Sequence, residues 1–491
     1  GMRALAQNYV AGRITAVALC SAGPALTNAA TGILVANDNG WPLVVLGGRR
    51  PLSMRGMGSF QDLDAVPIFQ SITKWSALVE KTAEIPHYLH RAFEIAMAGR
   101  PGPVYLDLPE DILTATAHSG AIPSLLPKLE LAMDEGSLTQ AADIILGAER
   151  PALIIGTGVR WSDPFLELRR LVDEFGIPFM TAPMGRGYLP DDHPLCANFA
   201  RAVLQGNADA VLLTGARLDW TFRFGAEISR EAKIIQIDVK ESEIGVNRVP
   251  TIGIVGDIKS VLQGLIARMT SRSTAAPRDR LSSWYARLDA ARDSRKHDLE
   301  EQLSSAALPM LPHRMFKEIR EFLPRDAICI LDGNVTMAAG QQALPCYSPV
   351  TRFTAGNNGC MGVGVPFAIG AKIARPERVV IAVCGDMGFA LSGMDMETAV
   401  RHNIPIVVIV ANNDGNTGAL MERIYFPESK ERIAMFQADI HYEMVMAAFG
   451  GHAEFVERPE QLRAALERAV ASGKASCINV RIDPYAPYPR D

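Results

Sequence analysis

Residues 383–389 read VCGDMGF and residues 411–415 read ANNDG, and each stretch closes an apolar run that is typical of a buried strand. A helical stretch separates the two runs, so Asp386 and Asn413 stand 27 positions apart (413 − 386). The carboxyl ends of parallel strands meet at one edge of a sheet, where open α/β sheets bind ligands. The spacing therefore predicts that both side chains lie close together at a binding site.

The residue types at this edge predict a metal ion beside a diphosphate group. An aspartate carboxylate and an asparagine amide oxygen are hard ligands, and with a backbone carbonyl and diphosphate oxygens they suit octahedral Mg²⁺. The glycine turn at 385–388 exposes backbone N–H groups at a helix start, which favours an anion. Either short motif alone is more typical of a turn, whereas the two together at this spacing indicate a site.

The alternation of apolar runs and helical stretches continues outward from this unit and predicts three α/β domains. The 491 residues divide into blocks at 1–113, 134–269 and 307–491, with 114–133 as a linker and 270–300 as an exposed connection that includes a charged helix. Continuous apolar runs indicate doubly wound parallel sheets. The pattern of residues 16–46 returns at 380–409, so the first and third blocks look like versions of one unit, although parallel α/β units generally resemble one another.

Composition excludes several classes of function. A net charge of −5 supplies no basic excess for neutralising phosphates, so no nucleic-acid partner is expected. Seven cysteines without a CxxC pair indicate a reduced protein, and we expect a cytoplasmic one. Because no apolar run reaches the ~18 residues of a membrane span, no membrane partner is expected either.

The string GDMGFALSGMDMET at 385–398, with the later Asn-Asn pair, resembles the signature of thiamin-diphosphate-dependent enzymes of the pyruvate oxidase and acetolactate synthase superfamily. It looks most like the oxalyl-CoA decarboxylase and 2-hydroxyacyl-CoA lyase branch, although Met387 stands where the strict signature has glycine. Segments 21–28, 58–61, 100–109, 215–220 and 358–362 carry the same resemblance, which covers all three blocks. It implies a pyrimidine-binding first domain, a central Rossmann-like domain and a diphosphate-binding third domain.

The resemblance also implies roles for individual residues. It makes Asp386, Asn413 and the carbonyl of Gly415 the Mg²⁺ ligands, and it places Met361 beneath the bent cofactor, although a core methionine fits equally. Gln61 becomes a substrate-side catalytic group with Phe60 as a wall, against the simpler interpretation of loop packing. The remaining cofactor-binding residues are Pro24, Asn28, Asn334, Thr336, Gly385, Met387 and Gly388, of which Asn334 and Thr336 are a loop pair that could equally form a turn.

One residue of the family pattern is not found in this sequence. The family uses a glutamate, upstream of the turn at 23–24, to hold the cofactor's pyrimidine nitrogen, whereas the first carboxylate here is Asp38. Matching residues 9–11 to the family's helix places that glutamate before Gly1. We expect an N-terminally incomplete sequence of a normal enzyme rather than a catalytically impaired chain, because the rest of the site is family-like.

The function expected from the resemblance is cleavage or decarboxylation next to a carbonyl, on a 2-hydroxyacyl-CoA or an oxalyl-CoA-like substrate. Thr417 weakens the acyl-CoA interpretation, since that branch usually has tyrosine there. An acetolactate-synthase-like carboligase acting on 2-oxoacids and a non-catalytic cofactor-binding homologue are the alternatives. The central domain is expected to bind ADP, FAD or nothing. The family further implies a homodimer or homotetramer with its active sites at the subunit interface.

Overall fold

A computed structural model describes residues 2–12, 14–118, 134–272, 277–416, 419–429 and 432–488. Within these ranges the chain forms three parallel sheets, one in each predicted block, which confirms the predicted fold class. The chain divides into two compact units. The first unit holds residues up to 130 with 356–360 and 373–375, and the second holds the remainder. Among the described helices, none is both long and apolar enough to cross a membrane.

The first unit contains a four-stranded sheet in the order β1-β2-β4-β3. Strand β4 is buried along its whole length, and Val44, Val104 and Leu106 pack with Ala92 and Ala96 of the covering helix. The strands are β1 (Ala16–Cys20), β2 (Leu43–Arg49), β3 (Trp75–Leu78) and β4 (Pro103–Pro109). The helices are α1 (Met2–Ala11), α2 (Pro24–Asn39), α3 (Ala65–Phe69), α4 (Ile85–Met97) and α5 (Glu110–Thr114).

The second unit begins with a five-stranded sheet in the order β6-β5-β7-β8-β9. Its strands are β5 (Pro151–Ile155), β6 (Phe179–Thr181), β7 (Ala210–Thr214), β8 (Lys233–Asp238) and β9 (Ile252–Val255). Its helices are α6 (Glu135–Gly147), α7 (Val159–Ser162), α8 (Phe165–Asp173), α9 (Arg201–Asn207), α10 (Ile258–Arg272), α11 (Pro277–Arg280) and α12 (Ser282–Leu303). Most of the predicted linker, residues 119–133, lies outside the described residues.

The predicted connection over 270–300 contains the predicted charged helix, but the described part of that stretch is not exposed throughout. Helix α10 continues to Arg272, and α12 covers the central sheet. Trp284 is 2% exposed and Leu288 is 5% exposed, and both join the apolar cluster on one face of that sheet. Because these two residues stand four apart, they lie on one side of an otherwise charged helix and form a narrow buried stripe.

The same unit ends with a six-stranded sheet in the order β11-β10-β12-β13-β15-β14. The pairing of β12 with β13 sets Gly385 beside Ala411, so the residues that follow these strands emerge at one edge, as predicted. The strands are β10 (Ile328–Asp332), β11 (Arg352–Phe353), β12 (Val380–Gly385), β13 (Val407–Asn412), β14 (His452–Val456) and β15 (Ser476–Arg481). The helices are α13 (Pro312–Phe322), α14 (Asn334–Ala343), α15 (Gly364–Ala374), α16 (Asp386–Ser392), α17 (Met396–Arg401), α18 (Ala419–Tyr425), α19 (Glu443–Ala448) and α20 (Pro459–Ala471).

Candidate functional site

Asp386 is the first residue of α16 and directly follows strand β12. Its side chain is buried, and its two oxygens accept hydrogen bonds from the backbone N–H groups of Met387 and Gly415, each at 2.8 Å. Burial raises the pKa of the Asp386 carboxyl to about 7, although these N–H donors lower it. A cation held against the carboxylate would favour its charged form and offset the cost of burial.

Asn413 and Gly415 place an amide group and a backbone carbonyl beside this carboxylate. One atom of the Asn413 amide lies 3.2 Å from Oδ2 of Asp386 and 2.8 Å from the carbonyl oxygen of Gly415. If that atom is the nitrogen, it donates to both neighbours, and if it is the oxygen, three oxygens converge as a hard cation requires. The residues present therefore fit Mg²⁺ through their donor chemistry, and their roles as ligands remain a prediction.

This candidate metal site depends on amide and carbonyl oxygens as much as on acidic side chains. Across the described ranges there is no group of three His, Cys, Asp or Glu side chains that could hold a metal ion. A carboxylate with neutral oxygens suits Mg²⁺, which usually takes one or two carboxylates and completes its shell with phosphate oxygens and water. The composition of the site therefore favours a metal that binds together with a phosphorylated ligand.

Asp414, which was not among the residues predicted from the sequence, lies between Asn413 and Gly415 and stabilises their loop. Its backbone is left-handed, with φ of 56°, and its carboxylate accepts from the backbone N–H of Asp439 at 3.3 Å. Nη2 of Arg481 lies 3.4 Å from the same carboxylate. The sequence signal for this residue was an aspartate directly after a strand, a residue type that tolerates a left-handed backbone. Its ion-pair partner Arg481 lies 67 residues away, and only the fold brings the two together.

The expected diphosphate-binding residues lie at the starts of two helices at the same sheet edge. Strands β10 and β12 are paired, and α14 begins at Asn334 as α16 begins at Asp386. The description of Asn334 and Thr336 as a loop pair is therefore wrong, because both lie in the first turn of α14. Helix starts attract anions through unpaired N–H groups, so these two residues together with Gly385, Met387 and Gly388 remain the predicted diphosphate-binding set.

The side chains of Asn334 and Thr336 already have partners within the protein. The Thr336 hydroxyl donates to the backbone of β10 or the turn after it, with its oxygen 2.6 Å from the carbonyl oxygen of Asp332 and 2.9 Å from that of Gly333. The Asn334 side-chain oxygen accepts from the Tyr488 hydroxyl at 2.5 Å. A diphosphate group at this edge would therefore meet the backbone N–H groups of the turn more directly than the Thr336 hydroxyl.

Asp332 is a second residue at this edge that the sequence analysis did not select. It ends the apolar strand β10, and its buried carboxylate accepts from the backbone N–H groups of Gly362 and Gly364. Burial raises the pKa of the Asp332 carboxyl to about 6, although these N–H groups lower it. Met361, which is half-buried, immediately precedes the turn that this carboxylate holds. A charged residue at the end of the run ICILD was the available sequence signal.

The first unit brings the predicted pyrimidine-side residues together around Gly23. This glycine caps α2 with φ of 64° and ψ of −119°, and Pro24 occupies the first helical position. Pro24 and Asn28 are exposed and stand four residues apart, so they share one face of the helix. Gln61, with φ of 60°, packs so closely that a Cβ on Gly23 would lie 2.8 Å from the Gln61 Cβ.

Phe60 and Gln61 lie on a loop that the buried Arg49 side chain joins to the sheet of this unit through two ion pairs. Nη1 of Arg49, at the end of β2, lies 3.0 Å from Oδ2 of Asp107 on β4 and 3.2 Å from Oδ1 of Asp64 on the loop. Burial raises the pKa of Asp107 to about 6 despite the nearby Arg49 charge. Phe60 itself is 75% exposed, so it is available to form a wall, and the catalytic roles of Phe60 and Gln61 remain predictions.

In the central domain, Arg217 and Asp238 lie at or just after the carboxyl ends of two strands and contact neighbouring loop residues. Nε of Arg217 lies 2.9 Å from Oε2 of Glu243. Oδ1 of Asp238 accepts from the backbone N–H of Lys240 at 3.0 Å, at the end of β8. These contacts stabilise the carboxyl-terminal edge of the sheet, and the binding of ADP or FAD there stays a prediction.

Comparison with known protein families assigns a description to each third of the chain. The N-terminal TPP binding domain of thiamine pyrophosphate enzymes matches residues 1–68. The central domain of the same enzymes matches residues 138–265, and their C-terminal TPP binding domain matches residues 332–480. The last match includes the sheet edge that carries Asp386 and Asn413.

Similar proteins of known function cover nearly the whole chain. Mouse 2-hydroxyacyl-CoA lyase 1 is 35% identical over 98% of this chain and 86% of its own length. Oxalyl-CoA decarboxylase of Escherichia coli K12 is 31% identical over 96% of this chain and 84% of its own length. Acetolactate synthase large subunit IlvG of Mycobacterium tuberculosis is 33% identical over 97% of this chain and 86% of its own length.

Proposed function

Because the chain belongs to the thiamine pyrophosphate enzymes, we propose that it is a Mg²⁺-dependent lyase or decarboxylase acting on a 2-hydroxyacyl-CoA or an oxalyl-CoA-like substrate. The observation that carries the proposal is the cluster of the Asp386 carboxylate, the Asn413 amide and the Gly415 carbonyl at the ends of two paired strands within the matched TPP binding domain. The similarity to a 2-hydroxyacyl-CoA lyase over nearly the whole chain supports the substrate class.

Different residues are proposed to hold the metal ion, to orient the diphosphate and to orient the substrate. Thiamin diphosphate, when bound, supplies the reactive carbon and electron sink for breaking a bond next to a carbonyl. Asp386, Asn413 and the carbonyl of Gly415 would hold Mg²⁺. The backbone N–H groups at 385–388 and at the start of α14 would orient the diphosphate. Gln61 is proposed to orient the substrate by hydrogen bonding, and Phe60 to exclude water.

The test of this function is a product analysis with the protein, thiamin diphosphate and Mg²⁺. Cleavage of a 2-hydroxyacyl-CoA between its carbonyl carbon and the hydroxyl-bearing carbon should release an aldehyde and formyl-CoA. Oxalyl-CoA should instead give carbon dioxide and formyl-CoA. If neither substrate gives its products while the cofactor is bound, the proposal is contradicted and a non-catalytic cofactor-binding homologue is favoured.

A 2-oxoacid carboligase is the second candidate, favoured by the similarity to an acetolactate synthase. This candidate predicts that pyruvate is converted to acetolactate and that the central domain binds FAD. The acyl-CoA reaction instead fits a central domain that binds ADP or no nucleotide. Supplying pyruvate in place of the acyl-CoA, together with an absorbance spectrum of the purified protein, separates the two candidates.

The metal site is tested with Asp386→Ala. Removal of the carboxylate should abolish Mg²⁺-dependent binding of thiamin diphosphate, because the remaining amide and carbonyl oxygens carry no charge. Titration of the cofactor with and without Mg²⁺, followed by tryptophan fluorescence, measures this. Asp395→Ala, at the end of the helical turn after α16, is the control and should bind the cofactor as the wild type does. An unchanged affinity in Asp386→Ala would contradict the assignment.

We further propose a cytoplasmic homodimer or homotetramer with active sites at the subunit interface. The seven free cysteines support a reducing compartment, and the family resemblance supports the assembly. Light scattering during size-exclusion chromatography measures the oligomeric state, and fractionation of the source cells measures the location.

A further inference from the structure

The carboxylate of Asp332 joins three chain segments at the sheet edge described above. It lies at the end of β10 and is 1% exposed. Its Oδ2 accepts from the backbone N–H of Gly362 at 3.1 Å and from that of Gly364 at 2.8 Å. Its own backbone carbonyl accepts from the Thr336 hydroxyl at 2.6 Å. One residue therefore connects the start of α14 with the turn that follows Met361.

The third segment is the glycine turn at the start of α16, which packs against the same carboxylate. A Cβ at Gly388 would lie 3.1 Å from Cγ of Asp332 and 3.2 Å from both of its side-chain oxygens. A Cβ at Gly364 would lie 3.0 Å from Cβ of Asp332 on another side. The two glycines leave room for this side chain and for little more, so the position of the carboxylate fixes the spacing of the three segments.

These three segments are the ones expected to contact the cofactor. The start of α14 and the turn at 385–388 are the predicted diphosphate-binding segments, and the turn at 361–364 begins with the residue expected beneath the bent cofactor. Oδ2 of the carboxylate accepts from both N–H groups, and Oδ1 accepts a second, longer bond of 3.3 Å from that of Gly362. All of these bonds are charge-assisted. An amide in its place would offer one oxygen and turn an NH₂ group toward a backbone donor.

We propose that Asp332 is a positioning residue. It sets the position of Met361 relative to the diphosphate-binding turn and so holds the bound cofactor in its reactive geometry. The proposal rests on the thiamin-diphosphate-dependent function, and it assigns a role to a side chain that itself touches only the protein. A purely structural carboxylate would stabilise the fold without changing the reactivity of a cofactor that is already bound.

The readout that separates these two roles is hydrogen–deuterium exchange at the reactive carbon of the bound cofactor, measured by quenched-flow NMR at saturating thiamin diphosphate and Mg²⁺. In Asp332→Asn we expect exchange to slow by about 10- to 100-fold, because small displacements of a reacting group cost this much. The exposed Asp326→Asn in the same domain is the control and should exchange at the wild-type rate.

A second variant keeps the test decisive if Asp332→Asn does not fold. Asp332→Glu retains both acceptor oxygens but adds a methylene where even a Cβ on Gly364 or Gly388 would lie only 3.0–3.2 Å from the Asp332 side chain, so it should displace the turn at 361–364. Exchange in this variant should also slow. Wild-type exchange in every folded variant would overturn the positioning role. Because the readout needs no substrate, failure to find a substrate would count against the proposed function alone.

Discussion

Gly23 stands at a backbone position that a side chain cannot occupy without strain. Its φ of 64° with ψ of −119° lies outside the regions open to L-residues, and a Cβ there would lie 2.8 Å from the Gln61 Cβ. We expect Gly23→Ala to lower the free energy of unfolding by ~1–3 kcal/mol and to displace the loop that carries Gln61. Urea unfolding followed by circular dichroism measures the first effect.

Gly32 provides the matched control in the same helix. It lies in the interior of α2, and a Cβ there would make only ordinary contacts with Met2, at 3.6 Å from its Cγ and 3.8 Å from its backbone nitrogen. Gly32→Ala should be neutral or should stabilise the protein by up to ~1 kcal/mol, because alanine loses less backbone entropy in a helix. Equal losses of stability in both variants would contradict the role of the Gly23 conformation.

At this scale the sequence identifies some site residues and misses others for a physical reason. Asp386 and Asn413 are predictable because each is a polar residue that follows an apolar strand, and the strand pattern places both at one edge. Asp332 and Asp414 were missed because their roles depend on partners 30 and 67 residues away in sequence. Spacing within one strand–helix–strand unit carries no information about such pairings.

Among the helices, α12 is rich in charged residues and nevertheless packs buried side chains against the central sheet. Its sequence is rich in charged residues between Leu288 and Leu299, which suggested an exposed connection. The helix nevertheless buries Trp284, whose Nε1 donates to the backbone carbonyl of Pro151 at 3.1 Å. The buried strands were predictable because their apolar residues are contiguous, whereas four buried residues spread along a long polar helix give a weak pattern.

Trp284 is expected to be the main anchor of α12. Trp284→Ala should lower the free energy of unfolding by ~3–5 kcal/mol, as large buried aromatic residues do when truncated. Trp284→Phe should lower the free energy of unfolding by less, because it keeps much of the packing although it loses the hydrogen bond to Pro151. Chemical unfolding followed by circular dichroism compares these variants with Lys296→Ala on the exposed face, for which a change within ~0.5 kcal/mol is expected.

Across the whole molecule, the central and third sheets belong to one compact unit, and a buried charge cluster links them. Nε of Arg186, in the loop after β6, lies 2.6 Å from Oδ2 of Asp191, and its Nη1 donates to the carbonyl of Gln341 on α14 at 2.6 Å. The same Asp191 oxygen accepts from the backbone N–H of Cys346 at 2.7 Å. Burial, followed by repulsion from Arg186, lowers the pKa of the neighbouring Arg352.

Asp191 therefore compensates buried positive charge between the central and third sheets. Asp191→Asn removes that charge while keeping the shape, and it should lower the free energy of unfolding by ~3–5 kcal/mol. Because the link is weakened, calorimetry should show this unit unfolding in two transitions where the wild type shows one. Asp192→Asn is the matched control, since its ion pair with Arg325 is exposed and worth at most ~1 kcal/mol. Equal effects of the two substitutions would contradict this role for Asp191.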